Sequence, residues 1–333
     1  MPEEIAIEMQ AIAHYNILER LGTGALGDVY RARDLKVGRT VALMMVPPEL
    51  VGPAGTAGRD KFLAQARAAQ TLNHPNIATL FDVVEQDGQC YLAYEFAAGP
   101  SLRDEMAGRA VNLRRAIELA AQIGDALAEG HSRGLVHGDL RPDNIVITPK
   151  GSPKILNFGL TNWTTSGQAR SAASTADGLG ADPYGVAGYL SPEQALGGAI
   201  DARSDVFSFG VLLHEMLTGR NPFAGAIPSA TVMNVIRLNP PPPSSSTPSA
   251  PLELDALVAR ALAKPVESRA AGVLALSSDL RRIAAKLDAK ERDFELPQRP
   301  RARGKPSGSR GLGWMVGVVL LILIVALWWF LAE

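Results

Sequence analysis

The sequence predicts an α+β protein with a small, strand-rich N-terminal lobe, a large, mainly helical lobe and one further helix near the C-terminal end. Three observations support this fold class. Short apolar stretches typical of strands run from about residue 15 to residue 95. Apolar residues recur at helical spacing from about Ser101 onward. An uncharged run of 20 residues covers positions 312–331.

The N-terminal lobe combines a small sheet with one helix. The strand candidates are residues 18–21, 29–32, 40–46, 80–85 and Gln89–Glu95. A glycine-rich turn joins the first two of them, and residues 61–72 fit a helix. Residues 1–14 precede the lobe as an N-terminal extension. We find no internal repeat in the chain.

The second lobe is predicted to be built around two long helices. The first has apolar or small residues four and three positions apart at Leu113, Ile117, Ala120, Gly124, Leu127 and His131. The second, residues 205–217, is apolar on nearly every side, which is typical of a helix at the centre of a lobe. Gly219 is expected to end it. The prolines at 240–243 fit a surface connector, which we favour, or a polyproline ligand.

Composition excludes some functions. The chain has 333 residues, 47% of them hydrophobic, and a formal net charge of -1, so nucleic acid is not an expected partner. The single cysteine, Cys90, lies in an apolar stretch, which predicts a buried free thiol and a reducing compartment. The acidic start of the chain lacks the apolar core of a secretory signal.

The uncharged run at 312–331 predicts a membrane-spanning helix, because about 20 helical residues cover the ~30 Å core of a bilayer. Trp314 lies near one end, and Trp328 and Trp329 lie near the other. Residues 288–311 form the predicted juxtamembrane linker. Its last part, residues 297–311, carries Arg299, Arg301, Arg303, Lys305 and Arg310 and no acidic residue. The positive-inside rule then predicts a single-pass protein of the inner or plasma membrane with its large domain in the cytoplasm.

Gly313 and Gly317 form a Gly-x-x-x-Gly pattern inside the predicted span. Small residues at this spacing let two transmembrane helices approach closely. The pattern therefore supports a homodimer hypothesis. A membrane-inserted dimerising helix that carries the folded domain as cargo is the weakest functional alternative.

Several motifs follow one another in a fixed order. Gly22, Gly24 and Gly27 precede Val29, and such glycines let a strand turn close over phosphates with backbone N–H groups exposed. The later motifs are Thr40-Val-Ala-Leu-Met44, His74-Pro-Asn-Ile77, His137-Gly-Asp-Leu-Arg-Pro-Asp-Asn144, Asn157-Phe-Gly159, Ser191-Pro-Glu193, Asp205 and Arg269.

This ordered set resembles the eukaryotic-like serine/threonine protein kinases of bacteria over residues 15–287. The resemblance implies a bilobal protein kinase fold, with an N-lobe at about 15–96 and a C-lobe at about 97–287. It also implies ATP and Mg²⁺ as cofactors. Asp139 matches the base that accepts a hydroxyl proton, Asn144 matches a metal ligand, and Arg141 replaces a lysine while keeping its charge. Arg269 matches the partner of Glu193 in an ion pair.

The sequence departs from the family at the positions that matter most for chemistry. Met44 stands where the family has the phosphate-binding lysine, and Gln65 stands where it has the glutamate that pairs with that lysine. Gly138 replaces the catalytic-loop arginine, and Val186 replaces a threonine of the substrate-docking segment. Asn157 replaces the magnesium-binding aspartate. Losing one such electrostatic contact commonly costs about 10²- to 10³-fold in rate.

A purine site remains plausible from the resemblance. Val29, Ala42 and Val146 are expected to sandwich the ring beneath Leu21, and the hinge after Tyr94, at residues 95–97, offers backbone hydrogen bonds through Glu95 and Ala97. Asn144 and Asn157 would form at best a weak metal site. We therefore expect weak ATP binding to which Mg²⁺ adds little.

Two main hypotheses stay open. The first is a membrane-tethered pseudokinase that acts as a cytoplasmic signalling or binding module with protein partners. The second is an active serine/threonine kinase that transfers the γ-phosphate of ATP to protein hydroxyls with Asp139 as base. Asp139 also has a purely structural interpretation, and His137 and Phe158 fit a packing role. Residues 163–183 fit a flexible loop, which we favour, or a phosphorylated activation loop.

Overall fold

The computed structural model describes residues 11–24, 26–52, 55–160, 186–295 and 311–331. The chain divides into two compact units, Met1–Lys286 and Leu287–Glu333. The first unit holds a six-stranded sheet followed by the larger helical lobe. The second unit holds the C-terminal helix.

The N-terminal lobe is an antiparallel sheet with a helix on one face. Its strands are β1 (Ala11–Ile12), β2 (Tyr15–Gly24), β3 (Gly27–Asp34), β4 (Arg39–Val46), β5 (Leu80–Gln86) and β6 (Gln89–Glu95), in the order β1-β2-β3-β4-β6-β5. Helices α1 (Pro48–Val51) and α2 (Ala57–Ala69) follow β4. Helix α2 begins four residues before the predicted position 61, because the Thr56 side chain caps it by accepting from the Arg59 amide.

Strand β4 shows how the two faces of the sheet are filled. Val41 and Leu43 point to one face, where they join a buried cluster with Tyr15. Met44 and Val46 belong to the cluster on the other face, which contains Phe62 and Ala66 of α2. Strand residues alternate between faces, so this apolar strand fits a sheet that is covered on both sides.

The C-terminal lobe is mainly helical. Its elements are α3 (Leu102–Met106), α4 (Leu113–Ser132), the hairpin β7 (Ile145–Ile147) and β8 (Pro153–Ile155), α5 (Pro192–Ala195), α6 (Ala202–Thr218), α7 (Pro228–Arg237), α8 (Leu252–Ala261) and α9 (Val273–Glu295). Helix α4 begins at the predicted residue. Helix α6 is buried along most of its length and ends at Gly219, whose φ of 77° is the left-handed C-cap that glycine favours, as predicted.

Two connections differ in detail from the sequence prediction. Residues 240–242 lie outside the helices and strands, and Pro243, which is buried, starts a short 3₁₀ helix, Pro243–Ser245, so the run serves as a connector. Helix α9 continues to Glu295, through the first part of the predicted linker 288–311. The rest of that linker, residues 296–310, and the loop at 163–183 lie outside the described residues.

The C-terminal unit contains helix α10 (Gly311–Leu331), which has no charged residue. Its side chains are described at residues 317–329 and 331. In the part of the chain that the structure describes, no helix reaches the length and apolarity needed to cross a membrane.

Candidate active site

A cavity of about 260 Å³ lies between the two lobes. Its roof comes from β2, β3 and β4, its outer edge from the segment after β6, and its floor from β7 and the residues beside it. The lining residues are Leu21, Gly24, Val29, Ala42, Met44, Tyr94, Glu95, Phe96, Ala97, Asp143, Asn144, Val146, Leu156 and Asn157. Its walls are mainly apolar.

Most of the predicted purine-binding residues line this cavity, but Gly22 and Gly27 do not. Gly27 has a different role, since a Cβ atom there would collide with the carbonyl oxygen of Met45 on the neighbouring strand. The glycine therefore lets β3 and β4 approach closely. The prediction missed Leu156 and Asp143 in the lining; their signal was their place in the sequence next to Asn157 and Asn144.

The loop that carries Asp139 is fixed by hydrogen bonds from its backbone to one buried carboxylate. Asp205, at the start of α6, accepts hydrogen bonds from the backbone amides of His137 at 2.7 Å and Gly138 at 2.8 Å. His131 lies 2.8 Å from the same carboxylate. Gly138 has a φ of 78°, which glycine adopts without steric cost. The replacement of an arginine therefore also relaxes the backbone at this point.

Asp139 is 6% exposed and its carboxylate is engaged by neighbours on the same loop. The Asn144 side-chain amide donates to the Asp139 carboxylate at 2.8 Å and to its backbone carbonyl at 2.8 Å. The Arg141 guanidinium lies 3.3 Å from Asp139 and 3.2 Å from Asp143. The structure thus brings the three retained residues together, as predicted. The arrangement also supports a structural role for Asp139.

The Asn157-Phe158-Gly159 turn lies at the back of the cavity. Asn157 is buried with a φ of 58°, and Gly159 has a φ of 83°; asparagine is one of the few residues besides glycine that tolerate this region. Phe158 is 2% exposed and meets His137 edge to face, with ring centroids 5.3 Å apart. These two rings have the packing role that the sequence suggested.

Met44 and Gln65 occupy the positions of the family's ion pair without forming a charged contact. Met44 is 3% exposed and packs in the apolar cluster beneath α2. The Gln65 side-chain amide donates a hydrogen bond to the backbone carbonyl of Gly159. The pair is therefore neutral, and its polar member is directed to the turn that holds Asn157.

Val186 begins a 3₁₀ turn, Val186–Tyr189, on the far side of the catalytic loop. The Tyr189 hydroxyl donates a hydrogen bond to the Glu215 carboxylate at 2.5 Å. The backbone carbonyl of Tyr189 accepts a hydrogen bond from the Ser208 hydroxyl at 2.7 Å. Burial and the neighbouring Glu215 carboxylate raise the pKa of Tyr189 well above its ordinary value. The turn is thus fixed to α6 although Val186 has lost the family's hydroxyl. Gly185, which precedes it, lies outside the described residues.

One arginine near the site was missed by the sequence analysis. Arg103 of α3 donates to Asp143 at 3.1 Å, to Glu215 at 3.1 Å and to the Tyr189 hydroxyl at 2.8 Å. It joins the catalytic loop, α6 and the turn that ends at Tyr189. No motif marks it, because its partners are 40, 112 and 86 residues away in sequence.

The end of the activation segment is held by the ion pair that the resemblance implied. Arg269 is fully buried and contacts Glu193 through two hydrogen bonds of 2.6 and 2.7 Å. Burial acts to raise the pKa of Glu193, yet hydrogen bonds from Arg269 and Ser204 hold it below its ordinary value. The predicted pair is confirmed.

The charges that line the cavity are acidic. Glu95 and Asp143 are its charged lining residues, and none of the lining residues is Lys or Arg. Lys154 pairs with Glu95 at 2.5 Å, while Arg103 and Arg141 pair with Asp143. The apolar walls fit a purine ring. The inner end, with Met44 and Asn157 in place of a cation and a carboxylate, does not fit a magnesium-bound triphosphate.

Comparison with known proteins decides the family. The family described as Protein kinase domain matches residues 15–279. The chain belongs to the protein kinase family. Protein kinases in general use ATP and Mg²⁺, so this chain belongs to an ATP-dependent family.

Two bacterial relatives show the extent of the match. Serine/threonine-protein kinase PknB of Mycolicibacterium smegmatis is 37% identical over 276 residues, which cover 81% of this chain and 43% of that protein. Serine/threonine-protein kinase pkn3 of Myxococcus xanthus is 31% identical, and the match covers 81% of this chain and 50% of pkn3. This kinase-family chain therefore matches half or less of the length of these relatives.

The bilobal fold is shared with a solved kinase domain. The crystal structure of the Mycobacterium tuberculosis PknI kinase domain has a TM-score of 0.63 and 22% sequence identity. The match covers 82% of this chain and 98% of that domain. At this identity the similarity shows the protein kinase fold.

Proposed function

We propose that this chain is a catalytically impaired member of the serine/threonine protein kinase family, a pseudokinase that uses the fold as a signalling and binding module. The observation that carries the proposal is the neutral, buried Met44 at the phosphate end of a cavity whose charged lining residues are both acidic. Phosphoryl transfer depends on fixed and metal-borne cations that neutralise the transferred group.

The expected loss of activity is large. Each missing electrostatic contact costs about 10²- to 10³-fold in rate. Met44 removes a fixed positive charge, and Asn157 weakens the metal site. If the two losses are additive, a kinase turnover of ~1–100 s⁻¹ falls to about 10⁻² s⁻¹ or below, and a smaller combined loss leaves a proportionally higher rate.

The alternative function is an active serine/threonine kinase with Asp139 as base. The observation in its favour is that Asp139, Arg141 and Asn144 form one connected group in the structure. In this alternative Asp139 accepts the proton of a protein hydroxyl as that oxygen attacks the γ-phosphorus of ATP.

Phosphate transfer by the full chain in mild detergent separates the two functions. The variants are Asp139→Asn and a repaired chain that carries Met44→Lys, Gln65→Glu and Asn157→Asp. With radiolabelled ATP, we expect no incorporation of labelled phosphate by the wild type and measurable incorporation by the repaired chain. Incorporation by the wild type that disappears in Asp139→Asn would establish the active kinase.

We also propose that α10 anchors the protein in the inner or plasma membrane with the kinase-like domain in the cytoplasm. The proposal rests on the sequence, namely the uncharged run at 312–331 and the basic residues before it, while no helix among the described residues reaches the length and apolarity of a span. The test is sodium carbonate extraction of membranes from cells that express the full chain. Recovery of the chain in the pellet is expected, and its release by carbonate would contradict the anchor.

Gly313 and Gly317 support a further proposal, a homodimer through α10. The test is crosslinking of the full chain in membranes. A dimer band that weakens in Gly313→Leu is expected. If both the wild type and Gly313→Leu gave only a monomer band, the result would contradict the proposal.

A further inference from the structure

The ligand class of the cavity can be inferred from the charges and the apolar surface of its lining. A triphosphate carries several negative charges, which need cations or metal ions beside them. The charged residues that line this cavity are Glu95 and Asp143, and each is paired with a basic side chain. The lining itself therefore offers a polyanion no cation, and Met44 adds none.

The basic side chains nearby are already committed. Arg141 pairs with Asp139 and Asp143 at 3.3 and 3.2 Å. Lys154 pairs with Glu95 and also donates to the Ile77 carbonyl at 3.2 Å. Moving either one onto a phosphate would leave an acidic partner without its cation. Such an exchange returns little binding free energy.

The apolar part of the cavity, in contrast, suits a flat neutral ring. Val29 and Ala42 lie on adjacent strands of the roof, and Val146 and Leu156 lie on the floor. The chain leaves strand β6 at Glu95, so the backbone of Phe96 and Ala97 borders the cavity beyond the end of that strand. A heteroaromatic edge with a donor and an acceptor can pair with such backbone groups.

Tyr94 adds a further wall. Its side chain lines the cavity and is 5% exposed, while its hydroxyl oxygen is buried and has no hydrogen-bond partner among the described residues. A ligand in the cavity therefore contacts the ring of Tyr94 and not its hydroxyl.

We propose that the cavity binds an uncharged purine, as a nucleoside or a free base, in preference to a nucleoside triphosphate. This inference rests on the proposed function, because both assume that Met44 supplies no cation and that Asn157 does not hold a metal ion. The ring lies between the valine-lined roof and the floor, and the inner end beside Met44 and Asn157 receives neutral polar groups. Magnesium has no part in this binding.

Isothermal titration of the full chain in neutral detergent tests the ligand class. The probes are adenosine, AMP, ADP and ATP, each with Mg²⁺ and with a chelator. We expect adenosine to bind more tightly than ATP, with the affinity falling several-fold from adenosine through AMP and ADP to ATP. Mg²⁺ should not change the affinity for adenosine. ATP that binds more tightly than adenosine, or no binding of any probe, would overturn the inference.

Two substitutions test the charge argument. Met44→Lys places an ammonium group at the inner end, and we expect it to tighten ATP binding by about tenfold while adenosine changes by less than about twofold. Met233→Lys is the matched control, since it adds the same charge at an exposed position outside the cavity lining, and it should leave the order of the probes unchanged. If Met44→Lys does not fold, the wild-type series still decides the inference.

The outcomes also separate this inference from the proposed function. Preferred binding of ATP without phosphate transfer overturns the inference and leaves the pseudokinase proposal intact. Phosphate transfer by the wild type that Asp139→Asn abolishes overturns the proposed function.

Discussion

The side-chain amide of Gln65 donates a hydrogen bond to the backbone carbonyl of Gly159. This contact joins helix α2 to the turn that holds Asn157, and it does so without any charge. A glutamate at position 65 would present only acceptor oxygens to that carbonyl. Gln65 is therefore suited to a cleft from which the lysine has been lost.

The first prediction concerns this link. Gln65→Ala should lower the free energy of unfolding by about 1 kcal/mol, since one partly buried hydrogen bond is lost. It should also speed amide hydrogen exchange in α2. Chemical denaturation and hydrogen-exchange mass spectrometry measure the two effects. Arg67→Ala, at an exposed position of the same helix, is the control and should change stability by less than about 0.5 kcal/mol.

This contact shows what the sequence can and cannot predict. The periodicity of α4 places that helix correctly, and the apolar stretch 205–217 places α6, which begins three residues earlier, at Ala202. The motifs could not predict that Gln65 reaches Gly159, because the partners are 94 residues apart and no charge pairing marks them. The unpaired Tyr94 hydroxyl was also beyond sequence reasoning, since it depends on the packing of its surroundings.

The second prediction concerns the close fit between Gly130 and Phe158. A Cβ atom at Gly130 would collide with the Phe158 ring. Gly130→Ala should therefore destabilise the protein by about 1–3 kcal/mol, despite the better helix propensity of alanine. Chemical denaturation provides the measurement. Glu118→Ala, in an exposed ion pair of the same helix, should cost less than about 1 kcal/mol.

A double mutant tests the cause of that effect. Phe158→Leu shortens the side chain and makes room for the added methyl group. If the collision is the cause, the double mutant with Gly130→Ala should be less destabilised than the sum of the single mutants. Additive effects would contradict a direct contact between the two side chains.

The third prediction concerns the buried pair of Glu193 and Arg269. Glu193→Gln leaves the guanidinium of Arg269 buried without its anion, so we expect a loss of about 2–4 kcal/mol at neutral pH. Denaturation midpoints measure this. Asp201→Asn is the control, because Asp201 and Arg203 form an exposed pair and asparagine keeps the N-cap of α6. It should cost less than about 1 kcal/mol.

The same pair predicts a response to acid. The folded-state pKa of Glu193 lies below its ordinary value of 4.5, so the folded protein holds fewer protons than the unfolded chain in acid. Its contribution to stability is present above about pH 4.5 and is lost as the pH falls through the folded-state pKa. The difference in stability between wild type and Glu193→Gln should therefore shrink in acid. A constant difference from pH 7 to acid would contradict this.

The fourth prediction concerns Lys264, which the motifs did not mark. Its ammonium nitrogen lies 4.0 Å from the centre of the Phe223 ring and 4.9 Å from that of Phe207, and it donates to the Val235 carbonyl at 2.7 Å. Burial and the nearby positive charge of Arg269 lower the pKa of Lys264 to about 8. The ordinary value is 10.5.

A depressed lysine pKa makes stability rise with pH. Between about pH 8 and pH 10.5 the unfolded chain binds more protons than the folded protein, so raising the pH through this window favours folding. Relative to Lys264→Met, which cannot titrate, the wild type should gain about 1 kcal/mol in the free energy of unfolding between pH 7 and pH 9.5. Lys286→Met, at an exposed lysine, is the control and should show no such gain. Equal pH dependence of wild type and Lys264→Met would contradict the lowered pKa of Lys264.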